Sequence, residues 1–572
     1  MGEVCTGLAQ RLTLAPNLNP SSSPGHFDIN KTPSQKVAAR SVRTYAFKPE
    51  GQSTKHLIYA QRPARTDKVM RIDGVSWKKR LPPVLVYNHN HESDMPSTYD
   101  QVLYPSLAFS ETHPDNLAAI ATLHGLTPPP GPYRVLEVGC GDASNLIPMA
   151  LVDPLSHFVG FDLATRPIQV GQAVIQSLGL SNIELFTLDI LEFPPSLGTF
   201  DYIIAHGFCA WVPAFVLEKF FAVCQAHLSP HGVIFASYNT YPQAHAREAS
   251  RQIMHAQPPG PEASRVTDGK HFLSTIRRFV TDPLWQATLD SEIKRLDARP
   301  DSVTFHDELG VAYNCFYVAD FVALAARHGF QYLAEGLLRP ALRPNVPPEA
   351  LAELRVLSRG DEVTFQQYLD FVTYRGFRRT LLCRSNLPIQ RDAINDNLLK
   401  LRVASPLYCV SQNPSGSETF RNGGGPGQME SNNPFLSAVL HRLEAVWPRS
   451  LPLAELLPDP SAIAETPTFD QLISLAVNNL LFLRHTDPPV ASQTKTNPTA
   501  NPLARLQAAS GTLFTTMLHT QVRFDDDFSP KLIALLDGTR PASALAPLLN
   551  GTTPTLIATA LQSFYRVGLM IA

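Results

Sequence analysis

No stretch of this 572-residue sequence approaches the roughly 18 uninterrupted apolar residues that a membrane-spanning helix requires. Nor does its N-terminus carry a basic segment followed by an apolar run, so neither a spanning helix nor a secretory signal is expected, and the chain reads as cytoplasmic. Zinc-type cysteine spacing is missing too. Cys5, Cys140, Cys209, Cys224, Cys315, Cys383 and Cys409 form no C-x-x-C pair and have no histidine at ligand spacing, so they read as reduced packing residues and no metal is expected. A basic surface is lacking over most of the chain. Residues 1–94 hold 14 Lys and Arg against 7 Asp and Glu, which leaves 34 against 43 in the rest and argues against a nucleic-acid partner. Nothing in the composition sets an oligomeric state.

What is present falls into segments. Residues 1–94 mix Pro, Ser, Asn and basic residues with little apolar periodicity and read as a disordered basic extension, because they bury too little surface to offset the entropy of ordering. From Arg134, short apolar runs alternate with helix-length segments: "RVLEV", "HFVGFD", "IELFTLDI", "FDYIIAH" and "GVIFASY". That rhythm predicts right-handed βαβ units and a doubly wound, mostly parallel α/β sheet within a core at 95–242. Residues 243–310 read as a helical insertion, and 311–395 supply a last helix with two edge strands, "FQYLAEG" and "FRRTLLC". Residues 411–433, rich in Gly, Ser and Asn, read as a flexible linker before a separate, mainly helical module at 434–572.

The chemistry concentrates at "YRVLEVGCGDAS" (133–144). Gly139 and Gly141 end the first strand and let the backbone turn sharply beside a ligand. A dinucleotide site would want a third glycine where Ser144 stands, and Asp142 would repel a pyrophosphate. S-adenosyl-L-methionine (SAM) has no phosphate but presents an ammonium and a sulfonium, so carboxylates suit it. Glu137 completes an E-x-G-x-G pattern. Asp162, followed by Leu163, ends the second strand, where a carboxylate accepts from both ribose hydroxyls; Asp189 and Ile190 end the third, where they meet the adenine. Three acidic residues at three successive strand ends are more specific than the glycines.

"VLEVGCGDASNLIPMA", "FVGFDLATRPI", "NIELFTLDI", "FDYIIAHGFCAWVP", "LSPHGVIFASYNTYP" and "RHGFQYLAEG" together resemble bacterial class I SAM-dependent methyltransferases that carry a methyltransferase regulatory domain. The resemblance runs from about Thr98 to the C-terminus, through "LRVASPL" and "LLDGTR". It implies a seven-stranded Rossmann-like sheet, a regulatory role for the 243–310 helices, a C-terminal domain similar to a winged helix, and methylation of protein lysines, with outer-membrane proteins as the acceptors. One position departs: the family commonly has Gly where this chain has Ala143, whose methyl group crowds the methionine end of SAM.

Acceptor-side residues are expected after the fourth and fifth strands. His206 is placed beside the cofactor and, with Tyr238 and Asn239, at the reacting amine; Trp211 and Tyr241 lie close in sequence, and Tyr99 and Tyr104 lie on a segment able to close over SAM. "SYNTYP" differs in order and strand position from the Asn-Pro-Pro-Tyr motif of nucleic-acid and glutamine N-methyltransferases, which argues against a base amine. The expected partner is a protein with an accessible lysine. Two other readings remain open: a methyltransferase for a small metabolite or natural product, and a SAM-binding regulatory protein that transfers no methyl.

Overall fold

A computed structural model of the protein describes residues 12–14 and 98–572, apart from 106, 130, 258–263, 340–345, 424, 426, 458–466 and 550–551. The disorder expected over 1–94 therefore falls mostly outside the described residues. The exception is β1 (Leu12–Leu14), which pairs antiparallel with β17 (Gln521–Phe524).

The centre is the expected sheet. β2 (Arg134–Val138), β3 (His157–Asp162), β4 (Ile183–Thr187), β5 (Phe200–Ala205) and β6 (Leu228–Thr240) are parallel, and the order is β4-β3-β2-β5-β6-β9-β8, with β8 at Phe330–Glu335 and β9 at Phe377–Arg384. β9 runs antiparallel to both neighbours, and a two-residue strand β7 (Cys315–Phe316) adds parallel to the end of β6. The middle stretches of these strands are near-continuous apolar runs because both faces of the sheet are covered. Val135, Phe158, Tyr202, Ile204 and Phe235 face helices 114–123, 146–152 and 165–178, whereas Leu136, Val159, Phe161, Ile203 and Ile234 face helix 214–227. Strand order reverses at β2/β5, which places the ligand crevice over the carboxyl ends of these strands.

Four helices, Ala244–Ala256, Arg265–Phe279, Pro283–Asp297 and Asp301–Leu309, follow β6 and share a small core of Met254, Leu273, Leu289, Leu296, Phe305 and Leu309. Beyond them, Arg378 on β9 is fully buried, with Nε and Nη2 each 2.8 Å from the Asp370 carboxylate and Nη1 2.5 Å from Glu335 Oε1. This ties helix Glu362–Thr373 to the sheet edge.

The expected linker at 411–433 is instead a three-stranded antiparallel meander of β11 (Leu407–Gln412), β12 (Glu418–Asn422) and β13 (Gln428–Ser431). Its Gly, Ser and Asn residues make the turns: Asn413 Oδ1 accepts from the backbone N–H of Ser415 and Ser417, and Gly416 sits at φ +85°. Phe420 and Met429 then bury one face against Leu436 and Leu440, an alternation too short to stand out from the turn composition. The C-terminal region is not separate, and it has two cores. The first joins residues from Leu398 to Leu483 with Ala119 and Leu123 of the N-terminal helix; the second spans Ala491 to Met570. β10 (Arg402–Ala404), β14 (Leu451–Pro452) and β15 (Phe482–Arg484) form a small sheet beside the first, while β16 (Leu513–Thr515) pairs with β17 beside the second.

Candidate active site

The glycine loop is held open by its own dihedrals and by one carboxylate. Gly139 and Gly141 have φ of +70° and +55°. A Cβ on Gly139 would stand 3.2 Å from the Phe208 ring. Ala143 is also left-handed, at φ +59°, a conformation costing an L-residue about 1–2 kcal/mol and explaining why glycine suits the position. Asp162 Oδ2 accepts the Gly141 N–H at 3.0 Å and Oδ1 the Ala164 N–H at 2.9 Å, so the end of β3 fixes the loop after β2. Burial raises the Asp162 pKa, against the lowering effect of those N–H donors. Leu163 beside it is 64% exposed.

Asp189 caps the short turn after β4, its Oδ1 accepting the Leu191 N–H at 2.9 Å. The expectation for Ile190 is corrected. Its side chain is buried among Phe161, Phe193 and Val138, so it serves the core; the exposed apolar side chain next to Asp189 is Leu191.

Glu137 is 4% exposed and the centre of a network that the sequence did not announce. Its Oε1 accepts from Asn145 Nδ2 at 2.7 Å, while Oε2 is buried with no hydrogen-bond partner. Burial pushes the carboxyl up to about 8, although the Asn145 hydrogen bond opposes it. Asn145 Oδ1 accepts the Phe109 N–H at 3.0 Å and lies 2.9 Å from His519 Nε2, on the turn between β16 and β17. Glu111, 2% exposed, joins the same segment: Oε1 meets Arg379 Nε at 2.9 Å, and Oε2 is a second buried carboxylate oxygen without a partner. Asn145 could have been suspected from its place eight residues after Glu137, but Glu111 and His519 have no local sequence signal.

On the acceptor side, His206 stands at the end of β5, its ring 4.0 Å edge-to-face from Phe109 and its Nδ1 2.9 Å from Ser237 Oγ. Burial pushes its pKa down to about 4, so it is neutral at pH 7 and too weak a base to hold a proton taken from an ammonium. Tyr238 is corrected from reacting-site residue to core residue. It is fully buried, stacked on Phe321 at 3.9 Å, with its hydroxyl 2.9 Å from Thr380 Oγ1. Asn239 is buried, with Oδ1 accepting from Arg247 Nη1 at 3.1 Å and Nδ2 unpartnered. The Arg247 guanidinium lies over both Trp211 and Tyr313, at 5.3 and 5.4 Å, and is held by Asp307 and Glu308. The Tyr241 hydroxyl is spent on Glu248.

The segment carrying Tyr99 and Tyr104 spans two elements. Asp100 Oδ1 accepts the Arg166 N–H at 2.7 Å beside β3, while the Tyr99 ring stacks on His306 at 4.0 Å and Val102 O meets His306 Nε2 at 2.7 Å. Burial raises the Tyr99 hydroxyl pKa, and the charges of Asp307 and Asp162 add to it.

Comparison with known proteins decides the family. Residues 131–278 match a methyltransferase domain, and residues 300–384 match a predicted methyltransferase regulatory domain. The uncharacterized protein RP789 of Rickettsia prowazekii is 30% identical over 426 residues, covering 70% of this chain and 76% of the relative. The chain belongs to the SAM-dependent methyltransferases that carry a regulatory domain. A second R. prowazekii protein, the uncharacterized RP028, is 33% identical over 245 residues, 41% of this chain and 96% of its own length. Among solved structures, PKMT2 from Rickettsia typhi superposes with a TM-score of 0.72 at 26% identity, over 82% of this chain and all of that one; the same protein has been solved in complex with AdoHcy, at 25% identity.

This methyltransferase uses SAM, and the crevice fits it. The unpartnered Glu137 Oε2 suits an ammonium, and carboxylates at the ends of three neighbouring strands suit a cationic ligand without phosphates. The regulatory-domain match begins at 300 and takes in β8, β9 and the helices between them, overlapping the 243–310 helical segment only at its end.

Proposed function

We propose that the enzyme methylates lysine side chains of proteins. The observation that carries this reading is the likeness to PKMT2 over that protein's whole length, since we read the abbreviation as protein lysine methyltransferase. Glu137 Oε2 takes the α-ammonium of SAM, Asp162 the ribose hydroxyls, and Asp189 the adenine amino group, with Leu163 and Leu191 against the ring in place of Ile190. Gly139 and Gly141 leave room for the methionine chain. Tyr99 and Tyr104 cover the cofactor from the segment that bridges Arg166 and His306.

SAM supplies the electrophilic methyl on its sulfonium. The protein's share is to deliver an uncharged amine in line with it. Holding a lysine of ordinary pKa neutral at pH 7 costs on the order of 4.6 kcal/mol. His206, titrating near 4, does not offset that cost as a base; with Phe109 and Phe235 it walls the site against water, where desolvation favours the neutral amine. Glu111 Oε2 accepts one N–H of the amine and turns its lone pair toward the methyl group. The Asn239 amide and the Trp211 ring line the approach.

The purified protein incubated with methyl-labelled SAM and a fractionated lysate tests the reading, with Asp162→Ala as the control. Label on lysines of proteins, lost in the variant, is the expected result, and the outer-membrane fraction is the first place to look. Label confined to small molecules overturns it, and SAM binding without transfer to any pool points to the regulatory reading.

A further inference from the structure

A second cluster of chemically capable side chains lies far from SAM in sequence. Cys409 on β11, Glu418 on β12 and His441 on helix Pro434–Val446 each offer a ligand atom, and these atoms all lie within 4.8 Å of one another. His441 Nε2 is 3.1 Å from both oxygens of Glu418. On the other side of the ring, Nδ1 faces Glu444 Oε2 at 3.7 Å. Glu444 is itself anchored, because the same Oε2 accepts the Cys409 backbone N–H at 3.1 Å.

We propose that Cys409, Glu418 and His441 form a zinc site that clamps the 407–431 meander to helix 434–446. A thiolate, an imidazole and a carboxylate make a donor set of intermediate softness, which selects Zn²⁺ over Mg²⁺ or Ca²⁺. With a thiolate and a carboxylate, the ligands balance the dication, and water completes a tetrahedron. An imidazole whose one nitrogen faces the ligand cluster and whose other faces a carboxylate is the arrangement that orients metal-binding histidines. An exposed His–Glu pair contributes only about 0–1 kcal/mol and gives no reason for a thiol and a second carboxylate to converge on it. The Glu418 and Glu444 carboxylates beside the cluster give it a negative field that attracts a dication. Binding forms the Sγ–Zn, Nε2–Zn and Oε–Zn bonds, expels the thiol proton to solvent and leaves the imidazole proton on Nδ1, toward Glu444. The sequence hid the site because its ligands are not locally spaced and come from three elements.

The test is titration of the full-length, chelator-treated protein with Co²⁺ alone, followed by competition with Zn²⁺. We expect one equivalent to produce the near-ultraviolet thiolate-to-cobalt band and the intense visible bands of a tetrahedral site, both removed by Zn²⁺. Cys409→Ser should lose the near-ultraviolet band and His441→Ala stoichiometric binding. Glu444→Gln should retain the spectrum while weakening affinity by roughly 10–100-fold, as loss of an outer-shell partner does. Cys409 and His441 are not core residues, so each variant should keep the parent's circular dichroism, which separates lost ligation from lost fold. Absence of the bands in the parent protein, or a near-ultraviolet band that survives Cys409→Ser, overturns the proposal.

Discussion

His519 Nε2 donates to Asn145 Oδ1 at 2.9 Å across 374 residues of sequence, and Asn145 Nδ2 in turn donates to Glu137 Oε1 at 2.7 Å. Asn145 Oδ1 can only accept, so the contact fixes the His519 proton on Nε2 and leaves the buried Nδ1 as an unpartnered acceptor. Burial, with His113 nearby, keeps the ring well below its ordinary pKa and neutral. The last domain of the chain thus helps set the rotamer of a residue that orients the cofactor-side carboxylate.

His519→Ala should therefore affect a site that it does not touch. Asn145 keeps its Phe109 and Thr112 hydrogen bonds, so the loss is one contact of about 1 kcal/mol. SAM affinity measured by calorimetry is expected to fall by on the order of fivefold, and Asn145→Ala should do more. An unchanged affinity in both variants would show that the network holds the domains together without reaching the cofactor.

With Glu137 Oε2 proposed on the SAM ammonium, binding should depend on pH. Its folded pKa is raised from 4.5 to about 8, so the stability associated with its protonated form is fully present below 4.5, declines as pH rises, and is gone above 8. The ligand-free protein should lose up to about 1.4 kcal/mol per pH unit within that window. An ammonium at Oε2 favours the ionised carboxylate, so the opposite trend is expected for affinity, which strengthens toward pH 8 and levels off. Calorimetry in buffers of different ionisation enthalpy should detect about one proton released on binding at pH 7 and none in Glu137→Gln. Equal proton release by both proteins would remove Glu137 from the assignment.

The parts of this molecule that were legible in sequence are those whose signal is local. β2 carries Glu137 one residue before its end, β3 ends in Asp162 and Asp189 follows β4 by two residues, each beside one short apolar run, and β8 and β9 were readable as strands because "FQYLAEG" and "FRRTLLC" are largely apolar. Tyr238 and Ile190 were misplaced for a related reason. For Tyr238 on β6, adjacent side chains of a strand point to opposite faces and sequence alone does not give the phase; Ile190 opens the 3-10 turn 190–192 after β4, where its inward direction is set by that turn. Glu111 and His519 had no local signal, since only the tertiary fold brings His519 to Asn145 beside Glu137 and Glu111 to Arg379.

Arg378 carries a stability prediction. It is fully buried between Asp370 and Glu335, and Arg378→Met would leave these two buried carboxylates with Arg375 as a partial counter-charge, its Nε 3.3 Å from Asp370. Removing one partner of such a cluster costs about 3–5 kcal/mol, and the remaining guanidinium should hold the loss near the lower end. Thermal unfolding should show an earlier transition, and hydrogen exchange should show helix 362–373 opening with it. Converting Asp370 and Glu335 to apolar residues in the same chain should recover much of the loss, because it removes the uncompensated charges. A single variant as stable as the parent would mean that the cluster is not closed in solution.

Glu111→Gln separates cofactor binding from methyl transfer. Glutamine keeps an oxygen for Arg379 and the shape of the side chain, but replaces the buried, unpartnered Oε2 with an amide nitrogen that can only donate. The amine would then meet a donor where it needs an acceptor, and its lone pair would be drawn away from the methyl. Turnover is expected to fall by on the order of 10²-fold, the scale at which misplacing a reacting group is felt, while SAM affinity stays within about twofold because Glu137, Asp162 and Asp189 are untouched. His206→Ala should cost less, since a ring titrating near 4 contributes a wall and no base. If Glu111→Gln instead weakens SAM binding and leaves turnover of the bound complex unchanged, Glu111 belongs to the cofactor network with Glu137, and the amine is oriented by another group.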